Sequence, residues 1–323
     1  MTEAAEVRTA AEALVAQVAR VVVGKRAVVE RLFGALLVEG HVLLDDVPGV
    51  GKTTLARAFA RSLDLSFRRI QCTPDLVPSD VTGVSIYEPR EGTFVYRPGP
   101  LQANVVLVDE INRATPRAQA SLLEAMQERQ VTVDEASHPL PDPFFVIATQ
   151  NPIELEGTFP LPEAQLDRFL MVLRLGYPEA DEEEAILVTH GPATVPVETL
   201  APLFDRAAVL SLRDVVRRVR VGAAVRAYVV ALVRATRATE GVELGASPRA
   251  ALALYRAAQA EAAMRGRDHV LPDDVKVQAE AVLAHRIFLG ADAQLRGRGG
   301  RAVVAEILAR TAVPAEGSPG EDG

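Results

Sequence analysis

The chain has 323 residues, of which 49% are apolar, and it carries a formal net charge of −8. This length predicts about two domains, since one domain takes roughly 150 residues, and the apolar content is sufficient for packed cores. The acidic balance argues against non-specific binding of nucleic acid along the whole chain, although it leaves room for a local basic patch.

Neither a signal peptide nor a membrane span is predicted from the sequence. Residues 1–6 are acidic and contain no apolar h-region, so we expect no signal peptide. No run reaches the roughly 18 apolar residues of a membrane span, and the longest candidate, 223–233, is interrupted by Arg226. Cys72 is the single cysteine, which excludes a disulfide within the chain and favours a reducing compartment. We therefore expect a cytoplasmic protein with no membrane span.

The first half of the chain alternates between helical and strand-like patterns. Helices are predicted over residues 4–20, 27–39 and 179–189, and apolar runs of strand length occupy 41–45, 68–72, 104–109, 144–149 and 169–175. Strands that alternate with helices predict a mainly parallel sheet covered on both faces. Ligands of such sheets bind beyond the carboxyl ends of the strands.

Two stretches interrupt this alternation. Residues 84–87 and 93–96 flank a Glu-Pro-Arg-Glu-Gly turn, and residues 130–134 and 138–140 form a second pair of short runs. Both pairs predict β-hairpins, within inserts at about 81–101 and 130–141. The inserts are interpreted either as surface decoration or as working hairpins that face a partner.

The composition changes after Pro178. A segment with Gly191, Pro192 and Pro196 is interpreted as a linker, and from about residue 211 onward the pattern is helical. The predicted organisation is an α/β domain at 1–190, a linker at 191–210, a helical domain at 211–292 and a C-terminal extension at 293–323. The end of this extension is predicted to be disordered.

The segment 41–55 carries the most informative functional pattern. An apolar strand leads into a glycine loop, and a helix then opens with Lys52, Thr53 and Thr54. This order places backbone N–H groups, a lysine and a hydroxyl around one anion, for which a polyphosphate with Mg²⁺ is the natural ligand. Asp46 stands where the general phosphate-loop pattern has glycine. A glycine turn before an ordinary helix is the weaker alternative.

A second pattern is the apolar run 105–108 followed by Asp109 and Glu110. Two adjacent carboxylates at the end of a buried strand are costly unless a cation neutralises them. Asp109 is predicted to reach Mg²⁺ through water, and Glu110 to orient and deprotonate an attacking water. An ordinary strand followed by a polar loop is the alternative, which the preceding phosphate loop disfavours.

Two further polar residues lie next to the later predicted strands. Asn151, after the run 144–149, is a candidate hydrogen-bonding partner of a γ-phosphate or of the attacking water, although Gln-Asn-Pro is equally a good turn. Arg168 is a candidate charge donor to a phosphate. Its alternative is an ordinary pairing with Asp167 or Glu163.

Arg249 lies at the predicted start of a helix, where Ser247 is the N-cap and Pro248 takes the first helical position. An arginine in the first turn opposes the helix macrodipole, at a cost of a few tenths of a kcal/mol unless an external anion compensates it. Arg249 is therefore a candidate phosphate contact from the helical domain.

Five segments, in this order, are similar to the motifs of the MoxR family of AAA+ ATPases. They are residues 46–53 (DVPGVGKT), 108–114 (VDEINRA), 148–152 (ATQNP), 161–169 (LPEAQLDRF) and 245–250 (GASPRA). The resemblance covers about residues 10–290, and Asp46 belongs to it because this form of the loop is typical of that family. It implies a five-stranded parallel P-loop AAA+ α/β nucleotide domain with helices on both faces, plus a smaller all-helical lid.

The resemblance also implies residue roles. Lys52 and Thr53 are similar to the Walker A pair and Asp109 and Glu110 to the Walker B pair, with Thr53 and Asp109 as the Mg²⁺ ligands. The implied nucleotide-binding set is Val23, Gly24, Pro48, Gly49, Val50, Gly51, Lys52, Thr53, Thr54, Asp109 and Arg249, with Val23 and Gly24 on the adenine side.

Three further roles follow from the same resemblance. Asn151 is similar to sensor 1 and Arg249 to sensor 2, which would complete the site within one subunit. Arg168 resembles the arginine finger that reaches the ATP of the neighbouring subunit. The implied catalytic set is Lys52, Glu110, Asn151 and Arg168.

The implied activity is Mg²⁺-dependent hydrolysis of ATP to ADP and phosphate by a homo-oligomeric ring, usually a hexamer. The implied role is that of a chaperone-like remodeller or maturation factor, which works with a partner that carries a von Willebrand factor A domain. Three alternatives stay open: the ATPase subunit of a magnesium-chelatase-like complex, a nucleotide-gated binding switch with little turnover, and a DNA or RNA translocase. The acidic balance disfavours the last.

Overall fold

The computed structural model describes residues 3–47, 49–90, 92–152, 157–190 and 197–314. Its strands are β1 (Val42–Asp45), β2 (Phe67–Gln71), β3 (Gly83–Glu88), β4 (Thr93–Pro98), β5 (Val105–Asp109), β6 (Gln130–Val133), β7 (Ala136–Pro139), β8 (Phe145–Gln150), β9 (Met171–Leu173), β10 (Val242–Leu244) and β11 (Phe288–Leu289). Its α-helices are α1 (Glu3–Ala19), α2 (Arg26–Leu37), α3 (Lys52–Ser62), α4 (Pro78–Thr82), α5 (Pro116–Glu128), α6 (Glu163–Leu166), α7 (Ala180–His190), α8 (Arg206–Arg217), α9 (Ala223–Ala238), α10 (Pro248–Met264), α11 (Pro272–Leu283), α12 (Ala291–Leu295) and α13 (Gly300–Arg310).

A five-stranded parallel sheet forms the centre of the first part of the chain, in the order β2-β5-β8-β1-β9. Each of its strands overlaps one of the five predicted apolar runs, so the predicted parallel sheet is confirmed. The registers pair Gln71 with Asp109 and Asp45 with Gln150. The carboxyl ends of four neighbouring strands therefore lie along one edge, where such sheets bind ligands.

Two hydrophobic clusters cover the two faces of this sheet. Along β5, Val105 and Leu107 belong to one cluster, whereas Val106 and Val108 belong to the other, as the alternation of side chains along a strand requires. The first cluster includes side chains of α1, α2, α3 and the helical part of the chain, and the second includes side chains of α5. Helices thus cover both faces, as predicted.

The edge strand β9 is shorter than the run predicted at 169–175. The Phe169 N–H donates to the Leu166 carbonyl in the preceding turn, and the Phe169 carbonyl accepts a hydrogen bond from Arg286. These bonds take the backbone of Phe169 out of the ladder, and they attach the helical part of the chain to the sheet.

Both predicted hairpins are present. The first pairs β3 with β4, and the second pairs β6 with β7. The Tyr96 ring of the first hairpin stacks on the His138 ring of the second, with 3.8 Å between ring centroids. At the far end of the first hairpin, Tyr87 packs against Phe94, which is 73% exposed. The first hairpin therefore presents apolar side chains to solvent.

The second part of the chain consists of helices with one small sheet. Helix α8 begins at Arg206, before the predicted start at about residue 211, because the Asp205 carboxylate caps it by accepting the Ala208 N–H at 2.8 Å. Helix α13 packs against α9 and α11. The antiparallel pair of β10 and β11 is an addition to the predicted helices. Within the described ranges, no helix combines the length and the apolar character needed to span a bilayer.

His41 is a buried histidine just before β1, with 5% of its surface exposed. Its Nδ1 accepts the Val146 N–H at 3.0 Å, and its Nε2 lies 3.1 Å from the Met126 carbonyl oxygen. A neutral ring with the proton on Nε2 satisfies both contacts. Burial accordingly lowers the pKa of His41 to about 4.

We expect the free energy of unfolding to fall as the pH decreases from 7 to 5. The unfolded chain takes up a proton near pH 6.5, whereas folded His41 stays neutral down to about pH 4. His41 alone should remove roughly 2 kcal/mol by pH 5, and His285, whose pKa is also lowered by burial, adds to this loss.

Urea unfolding at the two pH values measures this effect. His41→Gln keeps an acceptor and a donor but no titrating group, so its fall in stability should be smaller than that of the wild type by roughly 2 kcal/mol. His138→Gln, at a partly exposed position, is the matched control and should keep the wild-type dependence. Equal falls in His41→Gln and the wild type would contradict the prediction.

Candidate active site

The loop between β1 and α3 has the backbone of an anion site. Gly49 and Gly51 adopt φ angles of +85° and +87°, which favour glycine. No described atom lies within 4 Å of a Cβ built at either position. Gly51 is the N-cap of α3 and has no side chain to occupy the first N–H groups of the helix. The predicted contact Pro48 lies outside the described residues.

Lys52 and Thr53 begin helix α3. The Lys52 ammonium donates to the backbone carbonyls of Asp46, of Val47 at 3.2 Å and of Gln150 at 3.4 Å. Burial lowers the pKa of Lys52, and the charge of Asp46 opposes this shift. The Thr53 hydroxyl donates to Asp109 Oδ2 at 3.0 Å. The structure therefore brings the two predicted cation ligands together.

Asp109 is buried at the end of β5 and accepts hydrogen bonds from three side chains. Its Oδ1 accepts the Thr149 hydroxyl at 2.6 Å, and its Oδ2 accepts the Arg69 Nη2 at 2.7 Å in addition to Thr53. Burial raises the pKa of Asp109, but these hydrogen bonds outweigh burial and leave the pKa below its ordinary value. Asp109 is thus an ionised carboxylate at neutral pH.

Glu110 follows directly, with its backbone in the left-handed region at φ +57°. This conformation is uncommon for a residue other than glycine, and it is held by the Glu110 N–H, which donates to the Thr149 hydroxyl at 2.9 Å. The carboxylate accepts the Gln71 side-chain amide at 2.9 Å and lies 3.4 Å from Arg113. It therefore points along the same edge of the sheet as Asp109.

Asn151 follows β8, which lies in the sheet between β1, the strand before the glycine loop, and β5, the strand that ends at Asp109. It is 5% exposed, and its carbonyl accepts the Asn112 side-chain amide at 3.4 Å. The adjacent Gln150 carbonyl is one of the acceptors of Lys52. The structure thus brings Asn151 to the edge that carries the loop and the two carboxylates.

Asp46 has a structural role that its sequence position did not reveal. Its Oδ2 accepts the backbone N–H groups of Leu175 at 2.6 Å and Gly176 at 2.7 Å, and its Oδ1 accepts the Val47 N–H at 2.9 Å. The carboxylate joins the start of the phosphate loop to the chain that leaves β9. Glycine, which the general pattern has here, could not make this connection.

Arg168 and Arg249 line one cavity of about 300 Å³, which is also lined by Gly40, His41 and Leu170. The last three residues precede β1 and β9, so the cavity lies at the amino ends of these parallel strands. The phosphate loop follows the carboxyl end of β1, roughly 13 Å away along a four-residue strand.

Arg249 was predicted to complete the phosphate site within the subunit, and its contact with a nucleotide stays a prediction. In the structure it lies with Arg168 at the opposite edge of the sheet from the loop. The reason is the way the helical part of the chain packs: α10 contacts α1 and α2, which precede β1, and this places its N-terminus at the amino end of the sheet.

Arg286 and Asp167 form an ion pair in the wall of this cavity. Arg286 is 4% exposed, and its guanidinium donates to Asp167 Oδ1 at 2.6 Å and to the backbone carbonyls of Asp167, Phe169 and Leu170 in the loop that carries Arg168. Asp167 Oδ2 accepts the Ser247 hydroxyl at 3.2 Å, so Ser247 binds the loop instead of capping its own helix. Asp167 thus connects the segment before Arg249 with Arg168.

The remaining predicted contacts are Val23 and Gly24, which precede α2, and Val50 and Thr54, in the glycine loop and in α3. Gly24 adopts φ +76°, and the Glu182 carboxylate of α7 occupies the space that a Cβ at Gly24 would fill. Val23 is partly buried beside it, Val50 is partly buried in the loop, and Thr54 is exposed on α3. Contact of Val23, Gly24, Val50 and Thr54 with a nucleotide stays a prediction.

Cys72 lies directly behind the carboxylates and is fully buried. Burial and the charges of Asp109 and Glu110 raise the pKa of the Cys72 thiol to about 12. The thiol is therefore protonated at neutral pH and does not supply a nucleophile.

Two family models match the chain in regions that contain these clusters. The model described as "ATPase family associated with various cellular activities (AAA)" matches residues 41–171, and the model of the AAA lid domain matches residues 234–307. The first region holds the phosphate loop, Asp109, Glu110 and Arg168, and the second holds Arg249 and Arg286.

The chain is similar to relatives over nearly its whole length. The uncharacterized protein YeaC of Bacillus subtilis is 50% identical over 299 residues, which are 93% of each chain. Chaperone MoxR1 of Mycobacterium tuberculosis is 43% identical over 320 residues, with 96% of this chain and 84% of the relative covered. The crystal structure of a candidate ATPase from Cytophaga hutchinsonii superposes with a TM-score of 0.89 at 37% identity, over 97% of each chain.

Proposed function

The chain belongs to the MoxR family of AAA+ ATPases, and from this premise we propose that it binds ATP with Mg²⁺ at the carboxyl edge of the sheet and hydrolyses it. The observation that carries the proposal is the contact of the Thr53 hydroxyl with Asp109 at 3.0 Å, beside the glycine loop and Lys52. A phosphate-binding backbone, a cation site and a candidate base thus share one edge of the sheet.

The loop amides and Lys52 are proposed to bind the β- and γ-phosphates. Lys52 donates to three backbone carbonyls, which are neutral dipoles. A phosphate offers the ammonium a full negative charge and a stronger, charge-assisted hydrogen bond. We therefore expect the Lys52 side chain to turn from these carbonyls toward the phosphates when ATP binds.

The residues at this edge fit a magnesium ion. Thr53 offers a hydroxyl oxygen and Asp109 a carboxylate oxygen, which are the hard ligands that Mg²⁺ prefers. Across the described part of the chain, no group of three or more His, Cys, Asp or Glu side chains suits a metal. This small protein contribution is consistent with an ion that keeps its water and phosphate ligands. When bound, the ion would neutralise charge on the transferring phosphoryl group.

Glu110 is proposed to orient the attacking water and to accept its proton. The left-handed backbone turns the side chain out of the strand direction, and the Gln71 amide at 2.9 Å fixes one of its oxygens. Asn151, at the end of the neighbouring strand, is proposed to hydrogen-bond the γ-phosphate or the same water. The two residues would then act on one face of the phosphate.

Arg168 and Arg249 are proposed to act on the nucleotide of a neighbouring copy in a ring, which the family resemblance makes a hexamer. They line a cavity whose wall also contains Arg129, Arg256 and Arg286. The wall also contains Glu39 and Asp167, which pair with Arg129 and Arg286, so the net positive charge that the cavity offers to a phosphate at the carboxyl edge of a facing copy comes from Arg168, Arg249 and Arg256. A head-to-tail contact between these two surfaces would repeat around a closed ring.

We propose that the ring remodels or matures client proteins in the cytoplasm, together with a partner that carries a von Willebrand factor A domain. The name of the Mycobacterium tuberculosis relative, Chaperone MoxR1, supports a chaperone-like role. The exposed apolar end of the first hairpin, with Phe94 and Tyr87, is a surface available for protein contact.

Lys52→Ala tests the nucleotide site. Loss of charge-assisted hydrogen bonds to phosphate should weaken ATP binding about 10- to 100-fold and reduce turnover accordingly. Titration calorimetry measures binding, and phosphate release measures turnover. Lys276→Ala, which removes a partly exposed lysine paired with Asp273, should match the wild type. Equal binding in Lys52→Ala and the wild type would contradict the proposed site.

A further inference from the structure

Arg69 is a charged residue at the candidate cation site for which the proposed mechanism has no use. It lies on β2, the edge strand of the sheet, and its register partner is Leu107 on β5. Its side chain is 46% exposed, and that of Asp109 is 9% exposed. A partly solvated arginine thus reaches from the rim of the sheet to a buried carboxylate.

The contact is made by two nitrogens of the guanidinium. Nη2 lies 2.7 Å and Nε 3.2 Å from Asp109 Oδ2. The same oxygen accepts the Thr53 hydroxyl, while Asp109 Oδ1 accepts the Thr149 hydroxyl. Both oxygens of the Asp109 carboxylate therefore accept hydrogen bonds, and Oδ2 accepts them from both Thr53 and Arg69.

A second contact fixes the position of the guanidinium. Its Nη2 also donates to Gln71 Oε1 at 2.7 Å, and the Gln71 amide donates to Glu110 Oε2 at 2.9 Å. Arg69 and Gln71 are two residues apart, so they lie on the same face of β2. Arg69 is thus held between Asp109 and a side chain that contacts Glu110.

We infer that Arg69 is a built-in counter-ion of Asp109, which a divalent cation must displace to be held by Thr53 and Asp109. The inference rests on the proposed nucleotide site and adds a competitor to it. A guanidinium and a hydrated divalent cation both need the space in front of Asp109 Oδ2 and the same negative charge. Arg69 therefore raises the Mg²⁺ concentration at which the cation and the nucleotide bind together.

The consequence is that binding of the nucleotide with Mg²⁺ requires a higher Mg²⁺ concentration than it would without Arg69. In the absence of the cation the buried charge of Asp109 stays compensated, so the empty site is stable. Removing Arg69 should let Mg²⁺ bind at a lower concentration. Because the pair is partly exposed, its contribution is modest, and a three- to tenfold change in Mg²⁺ requirement is the approximate size to expect.

The test is Mg²⁺-dependent binding of a fluorescent ADP analogue, which requires no turnover. The analogue is held at a fixed concentration, Mg²⁺ is titrated, and the half-saturating Mg²⁺ concentration is compared between Arg69→Gln and the wild type. We expect this concentration to be about three- to tenfold lower in Arg69→Gln. Arg68→Gln removes the same charge from an exposed residue on the opposite face of β2 and should leave it unchanged.

Several outcomes would overturn the inference. An equal or higher Mg²⁺ requirement in Arg69→Gln would do so, and so would an equal decrease in Arg68→Gln, which would show a general charge effect. Weaker binding of the analogue to Arg69→Gln in EDTA would make Arg69 a phosphate ligand instead. Arg69→Lys keeps the charge with a single donor nitrogen, so its half-saturating Mg²⁺ concentration should lie between those of Arg69→Gln and the wild type. With this second variant, the test does not depend on the folding of Arg69→Gln alone. Absence of Mg²⁺-dependent binding in the wild type would instead contradict the proposed nucleotide site.

Discussion

Arg168→Ala should reduce ATP turnover by about 10³-fold or more while leaving ATP binding near the wild-type level. An arginine donated from a neighbouring subunit stabilises charge that develops on the transferring phosphoryl group, so its loss affects the reaction more than the binding. In this chain Arg168 lines a cavity at the amino ends of β1 and β9, away from the loop of its own subunit. Phosphate release and calorimetry separate the two effects.

Mixing of subunits tests whether Arg168 acts in trans. Arg168→Ala keeps the phosphate loop, and Lys52→Ala keeps the arginine, so a site between the two variants has every group. At equal amounts and with random assembly, roughly a quarter of the sites should be complete. Turnover in the mixture that stays at the sum of the separate variants would contradict the trans arrangement.

Arg249 provides a sharper version of this experiment. Because Arg168 and Arg249 line the same cavity, one subunit should donate both to the same neighbour. A mixture of Arg249→Ala with Lys52→Ala should therefore recover turnover, whereas a mixture of Arg168→Ala with Arg249→Ala should not. Recovery in the second mixture would place Arg249 at the nucleotide of its own subunit. Arg220→Ala, which removes an exposed arginine paired with Asp268, is the control for loss of a surface charge.

Glu110→Gln should reduce turnover by about 10²- to 10⁴-fold, the usual contribution of a positioned general base. The amide keeps the size of the side chain but cannot accept a proton from water. Since Lys52, Thr53 and Asp109 are unchanged, ATP should bind as in the wild type and remain intact. Capture of ATP-bound rings by this variant, followed by mass spectrometry, is also the direct route to a client or a partner.

The matched control for Glu110→Gln is Glu124→Gln, which makes the same change at an exposed position of α5. It should hydrolyse ATP at the wild-type rate. Wild-type turnover in Glu110→Gln would contradict the assigned base, and loss of ATP binding in that variant would show that Glu110 serves the binding step instead.

The parallel sheet and the phosphate loop were predictable because their determinants are local. The strand that ends at Asp45 and the helix that starts at Lys52 are separated by a six-residue loop, and the glycines within it adopt positive φ angles that glycine favours. Asp109 and Glu110 could be predicted at the same edge, because ligands bind beyond the carboxyl ends of parallel strands. The direction of the strands alone was enough to predict that the loop and these two carboxylates lie close together.

The contacts that sequence reasoning missed join residues far apart in the chain. Asp46 binds the amides of Leu175 and Gly176, Arg69 binds Asp109, and Arg286 binds the loop that carries Arg168. Nothing in the local pattern of a single arginine or aspartate indicates which distant group it meets. Arg286, between α11 and β11, is buried, and nothing in its neighbouring sequence predicts that burial.

The sequence by itself determined the sheet, the loop and the identity of the groups at its carboxyl edge, since periodicity and short-range turn chemistry fix these features. The tertiary structure decided where the helical part of the chain sits. The packing of α10 against α1 and α2 places Arg249 beside Arg168, at the amino edge of the sheet. The physical reason is that an amphipathic helix specifies which face it buries, but the place where it packs depends on the shapes of all its neighbours.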